Sequence, residues 1–147
     1  MFEQVLFAGW GDMDFNAHMR NTAYLDKAAD VRMMFFSEHG FPMSEFLRRK
    51  LGPVVMHDGI EYFKEVRLLE ALTVTLTLQG LAEDGSRMIL GNEFRRADGA
   101  LAARVTTTAG WLDLSQRKLV APPPALLAAL KTLASESSFQ TLPGSAR

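Results

Sequence analysis

The sequence predicts an α+β domain in which one long helix packs on a curved antiparallel sheet. Three observations carry that expectation. Tyr24, Ala28, Val31 and Phe35 recur at helical spacing within one unbroken stretch. Val74, Leu76 and Leu78 alternate with Thr73, Thr75, Thr77 and Gln79 at the period of a half-buried strand. Asp84-Gly85 and Asp98-Gly99 then supply hairpin turns between the later strands.

Taken in order, residues 4–7 read as a short first strand, and residues 9–18 as a polar, Gly-containing loop. The helix is expected over residues 22–39. Leu25, Ala29 and Phe36 widen its apolar face, while Asp26, Lys27, Asp30 and Ser37 mark the solvent side. Asn21 is the expected cap, Gly40 the left-handed stop, and Pro42 blocks continuation. Residues 44–50 add a short helical turn. The period then changes to two, with Val54, Met56, Ile60 and Tyr62 on alternate positions and a break near Asp58-Gly59. In the Thr-rich strand Gly80 shifts the phase as a bulge would. Strands over residues 88–96 and 101–114 follow, so that about four strands form a meander. Pro122, Pro123 and Pro124 separate the sheet from a short helix over 125–133. A single domain over residues 1–134 results, with a Ser-rich, loosely held end over 135–147. The exposed edges of such a sheet favour edge-to-edge pairing of two copies, a homodimer or a homotetramer.

Composition narrows the function. The 147 residues carry 48% hydrophobic and 22% charged side chains, as packed proteins do. Sixteen Lys+Arg against seventeen Asp+Glu leave a net charge of −1, without the cationic footprint that nucleic acid requires. With no cysteine, thiol nucleophiles, thiolate-bound zinc and disulfide scaffolds are excluded. Apolar runs are too short for membrane insertion, and Met-Phe-Glu-Gln does not begin a secretory signal, so a cytoplasmic protein is expected. His18, His39 and His57 lack close ligand spacing, so neither a metal nor another cofactor is expected.

Chemistry concentrates in residues 10–24, WGDMDFNAHMRNTAY. Asp12, Asp14 and His18 lie in a loop directly before the helix. A helix start offers unpaired backbone N–H groups and a positive dipole end. Such a place holds a carboxylate charged and stabilises a developing oxyanion. Carboxylate and oxyanion donors together can hydrolyse an activated acyl group. The competing reading is structural, because Asp and Asn before a helix commonly form caps and turns.

The pattern D-x-D-x-x-x-H-x-x-N-x-x-Y, formed by Asp12, Asp14, His18, Asn21 and Tyr24, resembles the hot-dog-fold acyl-CoA thioesterases of the 4-hydroxybenzoyl-CoA thioesterase type. The following helix matches that family's central helix, and Pro53-Val54-Val55 with Ile60-Glu61-Tyr62-Phe63 resembles its second and third strand region. The resemblance covers roughly residues 5–114. It implies a curved sheet wrapped around one long helix and an acyl-CoA, or acyl-carrier thioester, as substrate. It makes Asp14 the catalytic carboxylate, as nucleophile or as general base on water. Backbone N–H groups around Asn21 and Thr22 become the oxyanion donors. The chain departs from the family pattern at Arg20, where a second Asn is frequent, and at Ala17, where Gly is frequent.

His18 either orients Asp14 or water, or ties the loop to the helix. Tyr24 lies on the buried helix face as a core residue, with substrate contact as the alternative, and Asp12 reads as loop-forming or subunit-contacting. Lys64, Arg67, Arg95, Arg96 and Arg104 are candidate phosphate contacts or plain solvated charge. Met13, Met19, Met33, Met34 and Met56 fill the core or line an acyl pocket. Two other functions compete with hydrolysis: a non-catalytic acyl-thioester binding protein, and a hydroxyacyl-thioester dehydratase. The dehydratase needs an acid on the helix face, where Tyr24, Ala28 and Val31 stand instead.

Overall fold

In the computed structural model, which describes residues 1–134 and 139–146, the chain runs β1 (Phe2–Phe7), a single 3-10 turn (Trp10–Asp12), α1 (Asn21–Glu38), α2 (Met43–Arg49), β2 (Leu51–Tyr62), β3 (Ala71–Ala82), β4 (Arg87–Arg96), β5 (Leu101–Asp113), β6 (Lys118–Val120), α3 (Pro124–Lys131) and β7 (Gln140–Leu142). The sheet has seven strands in the order β1-β3-β4-β5-β2, with β6 on β5 and β7 on β3. Its pairings are antiparallel except for β7 on β3. α1 packs against β1, β3 and β5, giving the expected α+β arrangement.

The four-strand meander is corrected. β3, β4 and β5 are consecutive neighbours, but β2 pairs with β5. Both edges of β3 are taken, one by β4 and the other by β1 from Phe2↔Leu76 to Phe7↔Ala71. β2 therefore occupies the remaining edge of β5, and residues 63–70 carry the chain back across to β3. The break in β2 also moves, to a bulge between Val55 and His57. There Met56 lies over Gly110, where a Cβ would come 2.5 Å from its Cε. The bulge at Gly80 lies between Leu78 and Gly80 as the pattern predicted. Gly85 and Gly99 sit at φ +79° and +86°, a conformation that glycine adopts without Cβ strain, and they close the two expected hairpins.

Short pairings escaped the sequence pattern. β6 and β7 have three residues each, too few to show a period. β7 lies within the end expected to be loose; residues 135–138 and 147 of that end lie outside the described residues.

The helix begins at Asn21, so Asn21 is its first helical residue and not its cap. Arg20 holds the capping position at φ −68°, ψ 153°, without a side-chain cap bond. Arg20 is kept extended because its N–H donates to the Asp12 carbonyl at 2.7 Å. Lys27, expected on the solvent side, is buried. The core behind the helix is aromatic: Phe36, Phe46 and Trp111 touch one another, with Trp111 fully buried. Of the methionines considered for an acyl pocket, Met19 is buried, whereas Met34 and Met56 are exposed.

Candidate active site

Residues 12–20 form a tight hairpin that ends where α1 begins. Its base is the Arg20 N–H bond to Asp12, and its next rung is the Met13↔Met19 bridge. Above it, the Asp14 N–H donates to the His18 carbonyl at 3.0 Å. Ala17 turns the tip at φ +63°, a left-handed conformation that costs an alanine free energy. On its returning arm the hairpin is fixed from outside by the Met19 N–H, which donates to the Val66 carbonyl at 2.7 Å.

The Asp14 carboxylate is partly buried. Its Oδ1 accepts the Asn16 N–H at 2.8 Å, and its Oδ2 lies 3.4 Å from His18 Nδ1. The same nitrogen lies 3.1 Å from the Met19 carbonyl oxygen. Two acceptors facing Nδ1 assign its hydrogen there. At neutral charge, His18 Nε2 is then the acceptor.

Asn21 and Thr22 occupy the first two positions of α1, where backbone N–H groups have no intrahelical partner. Neither N–H has an acceptor among the described residues. The Asn21 carbonyl accepts the Tyr62 hydroxyl at 3.2 Å. The Thr22 hydroxyl accepts from the Arg20 guanidinium, which also donates to the Gly11 carbonyl.

Asp14, His18, Met19, Asn21 and Tyr24 form one side of a cavity of about 400 Å³. The facing wall is Tyr62, Phe63, Lys64 and Glu65, from the end of β2 and the crossover after it. Thus Asp14, His18, Asn21 and Tyr24 come together, while Thr22 does not line the cavity. On its other side Asp14 borders a second depression, lined by Trp10, Met13, Phe15, Ala17 and Leu68.

Tyr24 is buried, with its ring edge-on to Tyr62 and Phe94. Burial, reinforced by Tyr62, Glu70 and Asp14, pushes its hydroxyl up to about 12. It stays protonated at neutral pH and can donate a hydrogen bond into the cavity. Burial raises the Tyr62 hydroxyl too.

Asp12 does not line this cavity. Its Oδ2 accepts from Lys27 Nζ at 2.9 Å and from the Gly9 N–H at 2.8 Å. Burial works against its ionisation, but Lys27, the Gly9 N–H and Arg20 together outweigh it and hold the carboxyl below the ordinary range. This pair is why Lys27 leaves the solvent side. Arg67, Arg95, Arg96 and Arg104 each have a carboxylate partner. Lys64 has none within 4 Å among the described residues, and it alone of the five lines the cavity.

The facing wall was the part hidden in the sequence. Tyr62 and Phe63 read there as strand residues, and nothing local marks them as neighbours of Asn21, about forty positions away. Their one signal was the position at which the period-two pattern of β2 stops.

Over residues 8–130 the chain matches the model of the thioesterase-like superfamily. Among solved structures it is similar to a hypothetical protein from Staphylococcus aureus described in complex with CoA (TM-score 0.82, 21% identity, covering 96% of this chain and 87% of that one). A 1,4-dihydroxy-2-naphthoyl-CoA thioesterase from Synechocystis is similar at TM-score 0.80 and 19% identity, covering 90% and 96%. A probable thioesterase from Escherichia coli gives 0.72 and 22%, covering 92% and 100%. No curated protein sequence matches the chain.

Proposed function

This chain belongs to the thioesterase-like superfamily, and from that premise we propose that it hydrolyses acyl-CoA thioesters to a carboxylic acid and coenzyme A, with Asp14 as the catalytic carboxylate. The observation that carries the reading is the sharing of one cavity by the Asp14 carboxylate, the His18 imidazole and the helix start at Asn21. Relatives in fold described as a CoA thioesterase and as a CoA complex support the substrate class.

In this reading the thioester carbonyl lies against the N-terminus of α1. The Asn21 N–H, with the helix dipole behind it, takes up the negative charge that develops on the carbonyl oxygen. Asp14 attacks the carbonyl carbon, or removes a proton from the water that does so. The C–S bond then breaks, and sulfur leaves with its electron pair. A thiol with a pKa near ~8.5 departs readily as thiolate, so no strong general acid is needed. On the nucleophilic route water cleaves the resulting anhydride and restores the carboxylate; on the other route acid and thiolate form directly. Through Nδ1, His18 orients the Asp14 carboxylate. Tyr24 contributes a protonated hydroxyl to the substrate cavity. Lys64, a cation of the cavity lining with no carboxylate partner among the described residues, meets the coenzyme A phosphates.

The remaining assignments are part of the same proposal. The outer edge of β2 leaves Val55 and Met56 exposed and favours pairing with a second copy. No helix among the described residues is long and apolar enough to cross a membrane, which agrees with work on a cytoplasmic acyl-CoA pool.

Thiol release from a panel of acyl- and aryl-CoAs tests the proposal. Asp14→Asn should lower turnover by about 10²–10⁴ without unfolding the protein. Undiminished release in that variant removes Asp14 from the mechanism, and no release from any substrate by the wild type favours the binding-protein reading.

A further inference from the structure

The Asp12–Lys27 pair takes no part in the chemistry above, yet it joins a buried lysine to a partly buried carboxylate beside the cavity. Lys27 is 9% exposed, and its Nζ lies 2.9 Å from Asp12 Oδ2. That oxygen also accepts the Gly9 N–H at 2.8 Å. Asp12 stands at the base of the hairpin, two residues before Asp14, where its carbonyl accepts the Arg20 N–H. Lys27 stands on α1, six residues after Asn21. The pair therefore joins the arm that carries the carboxylate to the helix that carries the N–H donors.

From this geometry we propose that Asp12 and Lys27 are positioning residues that hold Asp14 at a fixed place relative to the N-terminus of α1. The proposal rests on the hydrolase reading for what the held groups do. On its outgoing arm the hairpin is tied to α1 through Lys27; on its returning arm the Met19 N–H donates to the Val66 carbonyl and the Arg20 guanidinium to the Gly11 carbonyl. The backbone bonds within the hairpin join its arms to each other, but none of them ties the outgoing arm to the body of α1. Lys27 supplies that tie, from Asp12 to the second turn of the helix. A carboxylate and an oxyanion donor belonging to different elements react with one carbonyl group only if their separation is fixed. Partial burial suits this role, since such a pair is screened by salt less than a pair of fully exposed charges.

The experiment compares the wild type with Asp12→Asn, Lys27→Met and the double variant. A single substitution leaves a buried lysine or a partly buried carboxylate without its partner and lowers stability; the double variant removes both charges and recovers it. A purely structural pair predicts that turnover recovers as well. Positioning predicts that kcat of the double variant stays about tenfold to a hundredfold low with KM nearly unchanged, although its urea midpoint has returned toward that of the wild type.

Amide hydrogen exchange supplies a second readout that needs no turnover. The Asp14 and Arg20 amides, bonded to His18 and Asp12 within the hairpin, should exchange at least tenfold faster in the double variant, while amides in the middle of β4 stay unchanged. Wild-type exchange at Asp14 and Arg20 overturns the proposal, and so does recovery of kcat in the double variant. Should the wild type cleave no acyl-CoA, the hydrolase reading fails by itself. The exchange comparison then decides alone whether the pair fixes the hairpin.

Discussion

At its C-terminal half, α1 is held by aromatic rings. Phe36 meets Trp111 edge-on at 5.6 Å and Phe46 at 5.7 Å, while Phe46 stacks on Trp111 at 6.0 Å. At its N-terminal end Tyr24 still meets Tyr62 and Phe94, but its other neighbours are a polar hairpin, a partly buried ion pair and backbone bonds, and Trp10 and Phe15 stand in solvent. Apolar packing is strong but weakly directional, because it depends on area and fit. Hydrogen bonds and ion pairs contribute less to net stability, but they fix particular atoms in direction and distance. The same helix thus makes its largest aromatic contacts at one half and presents its reactive groups at the other. Substitutions at the two ends should separate into those that unfold the protein and those that disable it.

The largest effect on stability is expected at Trp111. Its indole is fully buried between Phe36 and Phe46, and Trp111→Ala leaves a cavity that these rings cannot fill. The loss should be about 3–5 kcal/mol. Urea unfolding at constant m-value measures it. A loss below about 1 kcal/mol would mean that the aromatic end does not carry the helix, and the contrast between the ends would fall.

Tyr24 lies between the two regimes, a buried residue that also lines the cavity. Its hydroxyl is pushed up to about 12, chiefly by burial, against about 10 for a free tyrosine. The folded state therefore holds this proton more tightly than the unfolded chain does. The resulting stability is fully present below pH ~10 and is lost as pH rises through about 12. Two pH units correspond to an upper limit of about 2–3 kcal/mol. Unfolding curves across that interval should show the decline in the wild type, and Tyr24→Phe should flatten it. An unchanged slope in the variant would place the hydroxyl in water in both states.

What could be read from the sequence divides along a related line. Asp14, His18 and Asn21 were legible because eight consecutive positions, a loop and a helix start, bring them together without help from elsewhere. The long helix and the Thr-rich strand were legible because each repeats over many residues. Pairing was not: that β2 lies beside β5 depends on β1 having taken the edge of β3, and no local pattern records that competition. Lys27 misled for the same reason. A lysine flanked by Asp26 on the helix reads as solvated, and only the fold brings Asp12 within 2.9 Å of its Nζ. Tyr62 and Lys64 joined the cavity through that same long-range pairing.

The smallest effect sharpens the comparison most, because it concerns stability at the reactive end alone. Ala17 holds the hairpin tip at φ +63°, with its side chain exposed. A left-handed backbone costs an L-residue about 1–2 kcal/mol. Glycine escapes that cost but loses roughly 0.5–1 kcal/mol more chain entropy on folding. Ala17→Gly should therefore stabilise the protein, by up to about 1 kcal/mol. No packing is lost, since the methyl group touches solvent. The bonds that define the hairpin, Asp14 N–H to the His18 carbonyl and Arg20 N–H to the Asp12 carbonyl, involve neither the Ala17 side chain nor its φ. Turnover should accordingly stay within about twofold of the wild type while the urea midpoint rises. A lower midpoint would mean that the tip is relaxed as it stands. A large fall in turnover would mean that the stiffness of Ala17, and not the bonds below it, holds Asp14 in place.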